Sequence, residues 1–314
     1  MHLKDLFDHF SSPSASSVPD WMIGCFRRHC ITFANGMSDT QTRVFWLQGR
    51  NLTIDLRLPP VQQQVPLAFK QCQQEELLQL ANYEGWSAHS IWRNNQLSWT
   101  DAASFQLHNR WPEPAILQRV GNCMMEFAPS GAYVEDWRFQ PNRPGPLVSL
   151  RLLEERDLGS GELRHKDGAL IIAGNWAGLV LGRANASIHM EKGQQLRDLV
   201  KACSHDSAQL NELFNFETSL AHGSVNEGFT IEHSTCFQRM GEVLCPLDGF
   251  ELDASNKQVI QTLTTGSASI QRRFVIDTME ADFTFENTSS WTHEAEQWFT
   301  QEAPTLTPYL KKIN

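Results

Sequence analysis

The chain has 314 residues, of which 41% are hydrophobic and 20% charged, a balance typical of a globular protein with a sizeable core. Its formal net charge of −10 argues against a general nucleic-acid binder, because such a surface needs clustered Lys and Arg. No apolar run approaches the roughly 18 residues that a membrane span requires, so we expect neither a nucleic-acid partner nor a membrane span.

Residues 1–17 predict a short amphipathic helix followed by a flexible Ser/Pro linker. Leu3, Leu6, Phe7 and Phe10 have helical spacing, and acidic residues interrupt the apolar run, unlike the core of a signal peptide. The seven cysteines of the chain show no close spacing. Together these features predict reduced thiols and a cytoplasmic protein.

Residues 44–60 predict a β-hairpin whose second arm has one aliphatic and one polar face. On that arm the leucines and isoleucine of residues 52–58 alternate with Thr53, Asp55 and Arg57. A face without polar groups suits a dry core, so we expect Asp55 and Arg57 to lie outside or at a rim. In the alternative, the polar face lines a cavity and the two charges hold a ligand.

The first half continues as short runs that are rich in aromatic or β-branched residues and bounded by turn residues, which predicts strands. Only residues 74–81 predict a helix. Glu84, Trp86 and Trp92 share one face of a predicted strand, and Trp99 follows on the next. Aromatic walls with a few polar groups are typical of small-molecule sites. The alternative is that these Trp side chains only fill a core.

Residues 133–139 predict a further strand, on which Tyr133, Glu135 and Trp137 share one face. A carboxylate among aromatic rings loses solvation, which raises its pKa toward values useful in acid–base catalysis. Glu135 is therefore the candidate acid–base group, with Glu126 or Arg138 as its helper. The alternative is a structural ion pair at a barrel rim.

A polar, Gly-rich connection at residues 156–168 predicts a boundary between two domains, 1–158 and 159–314. The second half repeats the strand-like runs, with one helix at 193–203 and a closing helix that we expect to dock on the body. Regularly spaced short strands favour barrels, with one fused barrel or a sandwich as the alternative.

Residues 174–176, Gly-Asn-Trp, resemble the lipocalin-like (calycin) group, whose up-and-down barrels carry Gly-x-Trp in their first strand. There the Trp closes one barrel end. Tandem lipocalin-like barrels exist, and the two β-rich halves are each of barrel size. The resemblance implies a mainly β fold of two lipocalin-like antiparallel β-barrels in tandem with peripheral helices.

Three hypotheses about function follow. The first is a cytoplasmic protein that binds a small apolar or aromatic ligand in the first barrel, because that half holds seven of the ten Trp residues. The second is a metal-independent lyase, hydratase or isomerase that uses Glu135, and the third is a scaffold in which Trp291, Trp298 and Phe299 bind a partner protein. The ligand-binding residues of the first hypothesis are Trp86, Trp92, Trp99, Tyr133 and Trp137.

No cofactor and no metal site is predicted. The eleven His and seven Cys residues lack the spacing of metal sites, and the sequence contains no Walker loop, Rossmann glycine pattern or nucleophile elbow. The identity of the ligand stays open, as does a homodimer.

Overall fold

The computed structural model describes residues 1–10, 14–108, 111–185, 188, 190–253, 257–265, 268–286 and 292–310. Within these ranges the protein is mainly β, as predicted, and its strands form two antiparallel sheets. The strands of the first sheet are β1 Gly24–Phe33, β2 Ser38–Asp39, β3 Arg43–Gln48, β4 Leu52–Leu58, β5 Glu84–Arg93, β6 Gln96–Ser104, β7 Ala115–Val120, β8 Cys123–Phe127 and β9 Tyr133–Phe139. Those of the second sheet are β10 Gly145–Asp157, β11 Leu163–Ala173, β12 Trp176–Arg183, β13 Glu217–Ser224, β14 Gly228–Ser234, β15 Phe250–Leu252, β16 Gln258–Thr265 and β17 Ala268–Phe283. The α-helices are α1 Gln74–Leu80, α2 Leu196–Ala202, α3 Ser207–Phe214 and α4 His293–Leu306.

The first sheet closes into a barrel. Strands β3 to β9 pair with their neighbours in chain order, and β1 pairs with both β3 and β9, which makes eight antiparallel strands around one lumen. The two-residue strand β2 adds to the edge of β1. Closure leaves the barrel strands without a free edge except beyond Leu97 on β6, where the pairing with β7 ends. A barrel in the first half is thereby confirmed.

The second sheet has the strand order β14-β13-β12-β11-β10-β17-β16-β15, and no strand pairing between β14 and β15 closes it among the described residues. Its first strand, β10, pairs with β11 and β17. The chain therefore changes sheet between Phe139 and Gly145, before the boundary predicted at residue 158.

The two sheets pack face to face, so the central strands of both are buried on both sides. One face of β11 and β12 joins the core of the first barrel, and the other face lines a second core. The sequences of such strands are nearly continuous apolar runs. In β12, for example, all eight residues are buried.

The two terminal helices are placed differently from each other. The N-terminal segment is a 3₁₀-helix, Leu3–His9, and it packs on the second sheet, since Leu3 and Leu6 are fully buried in the second core. The closing helix α4 exists, but none of its residues is buried, so the predicted docking on the body is not seen. Trp298 on α4 is 59% exposed, while Trp291 lies outside the described residues.

The two ends of the first barrel differ. A 3₁₀-helix, Asp20–Met22, lies at one end, where Trp21 packs edge-on against Trp92 of β5. We call this end the closed end. At the other end the connection from β4 to β5, residues 59–83, carries α1. We call this second end the mouth. None of the helices within the described ranges is long and apolar enough to cross a membrane.

Candidate ligand site in the first barrel

The polar face of β4 points into the barrel lumen. Asp55 is only 3% exposed and lies opposite Trp46 of β3, an aromatic residue of the barrel core. The aliphatic face points outward, where Ile54 lies against Gly178 of the second sheet. Asp55 and Arg57 therefore lie not on the outside of the barrel but in its lumen near one end, with the polar face lining a cavity as in the alternative, because the second sheet buries the outer, aliphatic face of the strand.

A cluster of charged side chains occupies the lumen at the mouth. They come from β1, β4, β5, β8 and β9, and each is buried or nearly so. Their ion pairs and mutual electrostatic effects show that they form one group. We call the following residues the lumen cluster: Arg28, Asp55, Arg57, Glu84, Glu126 and Glu135.

Glu135 has the most buried carboxylate of the lumen cluster, with 1% of its side chain exposed. Its Oε1 accepts a hydrogen bond from Nη1 of Arg28 at 2.8 Å and lies 3.7 Å from Nη1 of Arg57. Arg28 also pairs with Asp39 at 2.9 Å. The second oxygen, Oε2, is buried and has no hydrogen-bond partner in the described part of the chain. Buried acceptors are normally satisfied, so this oxygen is a point at which a ligand could donate.

Glu126 lies directly opposite Glu135 on the neighbouring strand, and both face the lumen. Its two oxygens accept hydrogen bonds from the Tyr133 hydroxyl at 3.2 Å and from Nε1 of Trp137 at 3.0 Å. Burial and, next, the negative charge of Glu135 raise the pKa of Glu126 to about 8. At neutral pH this carboxyl is therefore mostly protonated, while its neighbour is paired with arginine.

Asp55 and Arg57 form a bidentate ion pair along β4, with nitrogen–oxygen distances of 2.8 and 3.3 Å. Burial raises the pKa of Asp55 to about 6, although Arg57 opposes the shift. The guanidinium of Arg57 stacks over the ring of Trp111 at 4.1 Å. Nε1 of Trp111 in turn donates to Oε1 of Glu84 at 2.6 Å. Trp111 thus links two members of the lumen cluster.

The lumen cluster lowers the stability of the barrel relative to an apolar interior, because well-packed apolar side chains are often more stabilising than buried ion pairs. Within the cluster, Glu126 is held mostly protonated, and Oε2 of Glu135 has no donor in the described part of the chain. This oxygen favours an added hydrogen-bond donor or positive charge. Buried groups with shifted pKa values in one place are typical of functional sites, although structural networks also produce them.

Below the cluster the lumen is filled by aromatic side chains. Trp137 is 1% exposed, and its ring packs edge-on against Trp46 at 5.7 Å. Phe26 packs against Trp46 and Phe139, which extends the filling toward the closed end. In this part of the barrel the aromatic residues form a core, and the open space lies at the mouth and at one side.

The mouth cleft has a volume of about 1130 Å³. Its floor includes Arg28, Arg57 and Glu84 of the lumen cluster, together with Trp111. The β4–β5 connection supplies the opposite wall, which is rich in Gln and Pro and includes Tyr83. Glu135 lies directly behind this floor, in contact with Arg28.

A second cleft, of about 880 Å³, opens at the side of the barrel. Strands β6 and β7 pair only where Gln96 and Leu97 meet Ile116 and Ala115, so the wall is open beyond that point. We call this opening the side cleft. Its lining includes Trp86 and Trp99, whose rings meet edge-on at 5.6 Å.

The structure brings four of the predicted site residues together and separates the others. Glu126, Glu135, Tyr133 and Trp137 meet in or under the lumen cluster. Trp86 and Trp99 lie at the side cleft, and Trp92 packs on Trp21 at the closed end. Arg138 points to the outer face of β9, where it pairs with Asp136 at 2.8 Å, so it does not contact Glu135.

Five residues of the site were not predicted as members: Arg28, Asp55, Arg57, Glu84 and Trp111. Two of them, Asp55 and Arg57, carried a usable signal, since charges alternating with apolar residues are also expected of a strand that lines a lumen. Arg28 precedes a bulge in β1, which breaks the alternation by which its face could be assigned. Trp111 lies outside the strands, where no periodicity applies.

In comparisons with known proteins, no protein-family model and no curated protein matches this chain. Among the described residues, no group of three or more His, Cys, Asp or Glu side chains is arranged to hold a metal ion. The carboxyl groups of the lumen cluster are instead engaged with arginine, tyrosine and tryptophan.

Proposed function

We propose that the first barrel binds a small organic cation at its mouth, a molecule with an ammonium or similar group on an apolar or aromatic body. The supporting observation is Oε2 of Glu135, a buried carboxylate oxygen that lacks a protein donor among the described residues. Trp111 and Tyr83 in the mouth cleft offer aromatic surface to the body of the ligand. This proposal keeps the predicted aromatic ligand and adds a charged head.

Calorimetric titration with three molecules of similar shape tests the charge preference: phenethylamine, 2-phenylethanol and 3-phenylpropionate. We expect phenethylamine to bind at least tenfold more tightly than 3-phenylpropionate, because a cation gains and an anion loses in the field of the cluster. Tighter binding of the anion would show that the proposed ligand class is wrong.

Glu135→Gln tests the site itself. The substitution keeps the shape of the side chain and removes its charge, so we expect the affinity for phenethylamine to fall about tenfold. Glu294→Gln, at an exposed position on α4, serves as the matched control and is expected to bind like the parent protein. Equal affinities of the two variants would place the amine somewhere other than the lumen cluster.

A second candidate function is proton transfer without a metal, as in a lyase, hydratase or isomerase. It is favoured by the opposed carboxyl groups, one mostly protonated and the other paired with Arg28, which is the arrangement expected of a general acid and a general base. Glu135 would remove a proton from a substrate carbon, and Glu126 would return one. In D₂O the parent protein would then place deuterium on the carbon skeleton of a bound substrate, whereas Glu126→Gln and Glu135→Gln would not.

Two broader proposals concern fold relationship and location. We propose that the first barrel is lipocalin-like, on the strength of its eight antiparallel strands in near-sequential order. The Gly-Asn-Trp motif gives little support, because Gly174 lies in the turn before β12 rather than in the first strand of its sheet. A cytoplasmic location is supported by the seven cysteines, which are all free thiols in the described structure.

The scaffold hypothesis and the homodimer stay predictions. Exposure of Trp298 on α4 is compatible with a partner-binding role, but it identifies no partner.

A further inference from the structure

The side cleft contains buried donors that the mouth site does not use. The indole Nε1 atoms of Trp86 and Trp99 are both buried, and neither has a hydrogen-bond partner within the described ranges. Trp86 is 9% exposed as a whole, and both residues line the cleft. Indole N–H groups normally find an acceptor when they are buried. Both donors therefore belong to side chains of the cleft lining, and each would gain a partner if an acceptor atom of an occupant reached it.

His108 adds a third unsatisfied polar atom to the same cleft. Its Nδ1 is buried and has no partner among the residues that the structure describes. Because a neutral imidazole nitrogen either donates or accepts, His108 adapts to either kind of group on a ligand. Three unsatisfied atoms from three residues in one cleft indicate a polar occupant.

The walls of the cleft are shaped by a bulge on each side. In β6 the register against β5 shifts around Asp101, and in β11 the register against β12 shifts around Asp167. Both residues have positive φ, 53° and 57°, and both line the cleft. Bulges of this kind bend a strand and redirect its side chains.

The charges of the cleft argue for a neutral occupant. The lining contains basic and acidic residues in nearly equal number, so neither sign prevails there: Arg93, Lys166, Arg183, Glu84, Asp101, Glu113 and Asp167. Two indole donors and flat aromatic walls are best matched by an uncharged planar molecule with a carbonyl oxygen.

We propose that the side cleft is a second ligand site, next to the mouth site and sharing Glu84 and Trp111 with its lining, for a neutral planar carbonyl compound whose oxygen accepts hydrogen bonds from Trp86 and Trp99. The probes are coumarin and quinolin-2-one, which carry such a carbonyl, and naphthalene, which has the same ring size without an acceptor. The full-length protein is labelled with 5-fluorotryptophan, and Trp86→Phe and Trp99→Phe assign the two fluorine resonances.

Coumarin or quinolin-2-one is expected to shift both resonances, with at least tenfold higher affinity than naphthalene, since two hydrogen bonds are made only by the carbonyl compounds. The Trp86→Phe/Trp99→Phe double variant keeps aromatic rings at both positions and is expected to lose that preference, whereas Trp298→Phe on the exposed helix keeps it. Glu294→Gln, at an exposed position outside both clefts, should leave coumarin binding unchanged. Absence of any shift at millimolar carbonyl compound, or a preference retained by the double variant, would overturn the proposal.

Discussion

Replacement of Arg28 by Met is expected to lower the free energy of unfolding by about 3–5 kcal/mol, the cost of leaving a buried charge without its partner. Arg28 donates the shortest hydrogen bond to Glu135, which is 1% exposed. Arg57, at 3.7 Å from Glu135, compensates for the lost partner only in part. Urea denaturation followed by circular dichroism measures the change.

Two variants separate this effect from a general loss of packing. Arg138→Met removes an arginine from the outer face of β9, where its pair with Asp136 is partly exposed, so we expect a loss of about 1 kcal/mol or less. Glu135→Gln in the Arg28→Met background removes the unpaired charge and is expected to restore most of the stability. If Arg28→Met costs no more than Arg138→Met, the lumen cluster is not the buried network described above.

The second large effect concerns pH. The folded protein holds the pKa of Glu126 near 8, above its ordinary value of 4.5, so folding favours the protonated form. The stability from this group is complete below pH 4.5 and decreases as the pH rises to about 8, by on the order of a few kcal/mol. Glu126→Gln cannot ionise and is expected to lack this loss.

Comparing the parent protein with Glu126→Gln isolates the effect of Glu126 on stability. Asp55, whose pKa is also raised, contributes equally to the pH dependence of both proteins. Unfolding free energies measured from pH 4.5 to pH 9 should therefore diverge, and above pH 8 the Gln variant should be the more stable protein. Parallel curves over this range would contradict the assignment of a protonated Glu126.

Strand β4 shows what its sequence could predict and what it could not. The alternation of residues 52–58 correctly separates an aliphatic from a charged face, because the period of a strand is two. The inside could not be chosen from that pattern, since burial of the outer face depends on a second sheet more than 100 residues later in the chain. The entirely aliphatic face of β4 is therefore the face that contacts the second sheet.

Strand β5 shows a second limit. Glu84 and Trp92 share a face by parity, but eight residues of extended chain separate them by about 26 Å. One lies at the mouth and the other at the closed end. Periodicity assigns a residue to a face of the strand. Its height in the barrel depends on strand register, which the alternation pattern alone does not specify.

The most direct test of the central claim, that the lumen cluster is a binding site, is carboxyl ¹³C NMR of protein labelled at glutamate. We predict one resonance with a midpoint near pH 8 that disappears in Glu126→Gln, and a change in the Glu126 and Glu135 resonances when phenethylamine is added. Ordinary titration of every glutamate, with amine-induced changes confined to exposed positions such as Glu294, would contradict the claim.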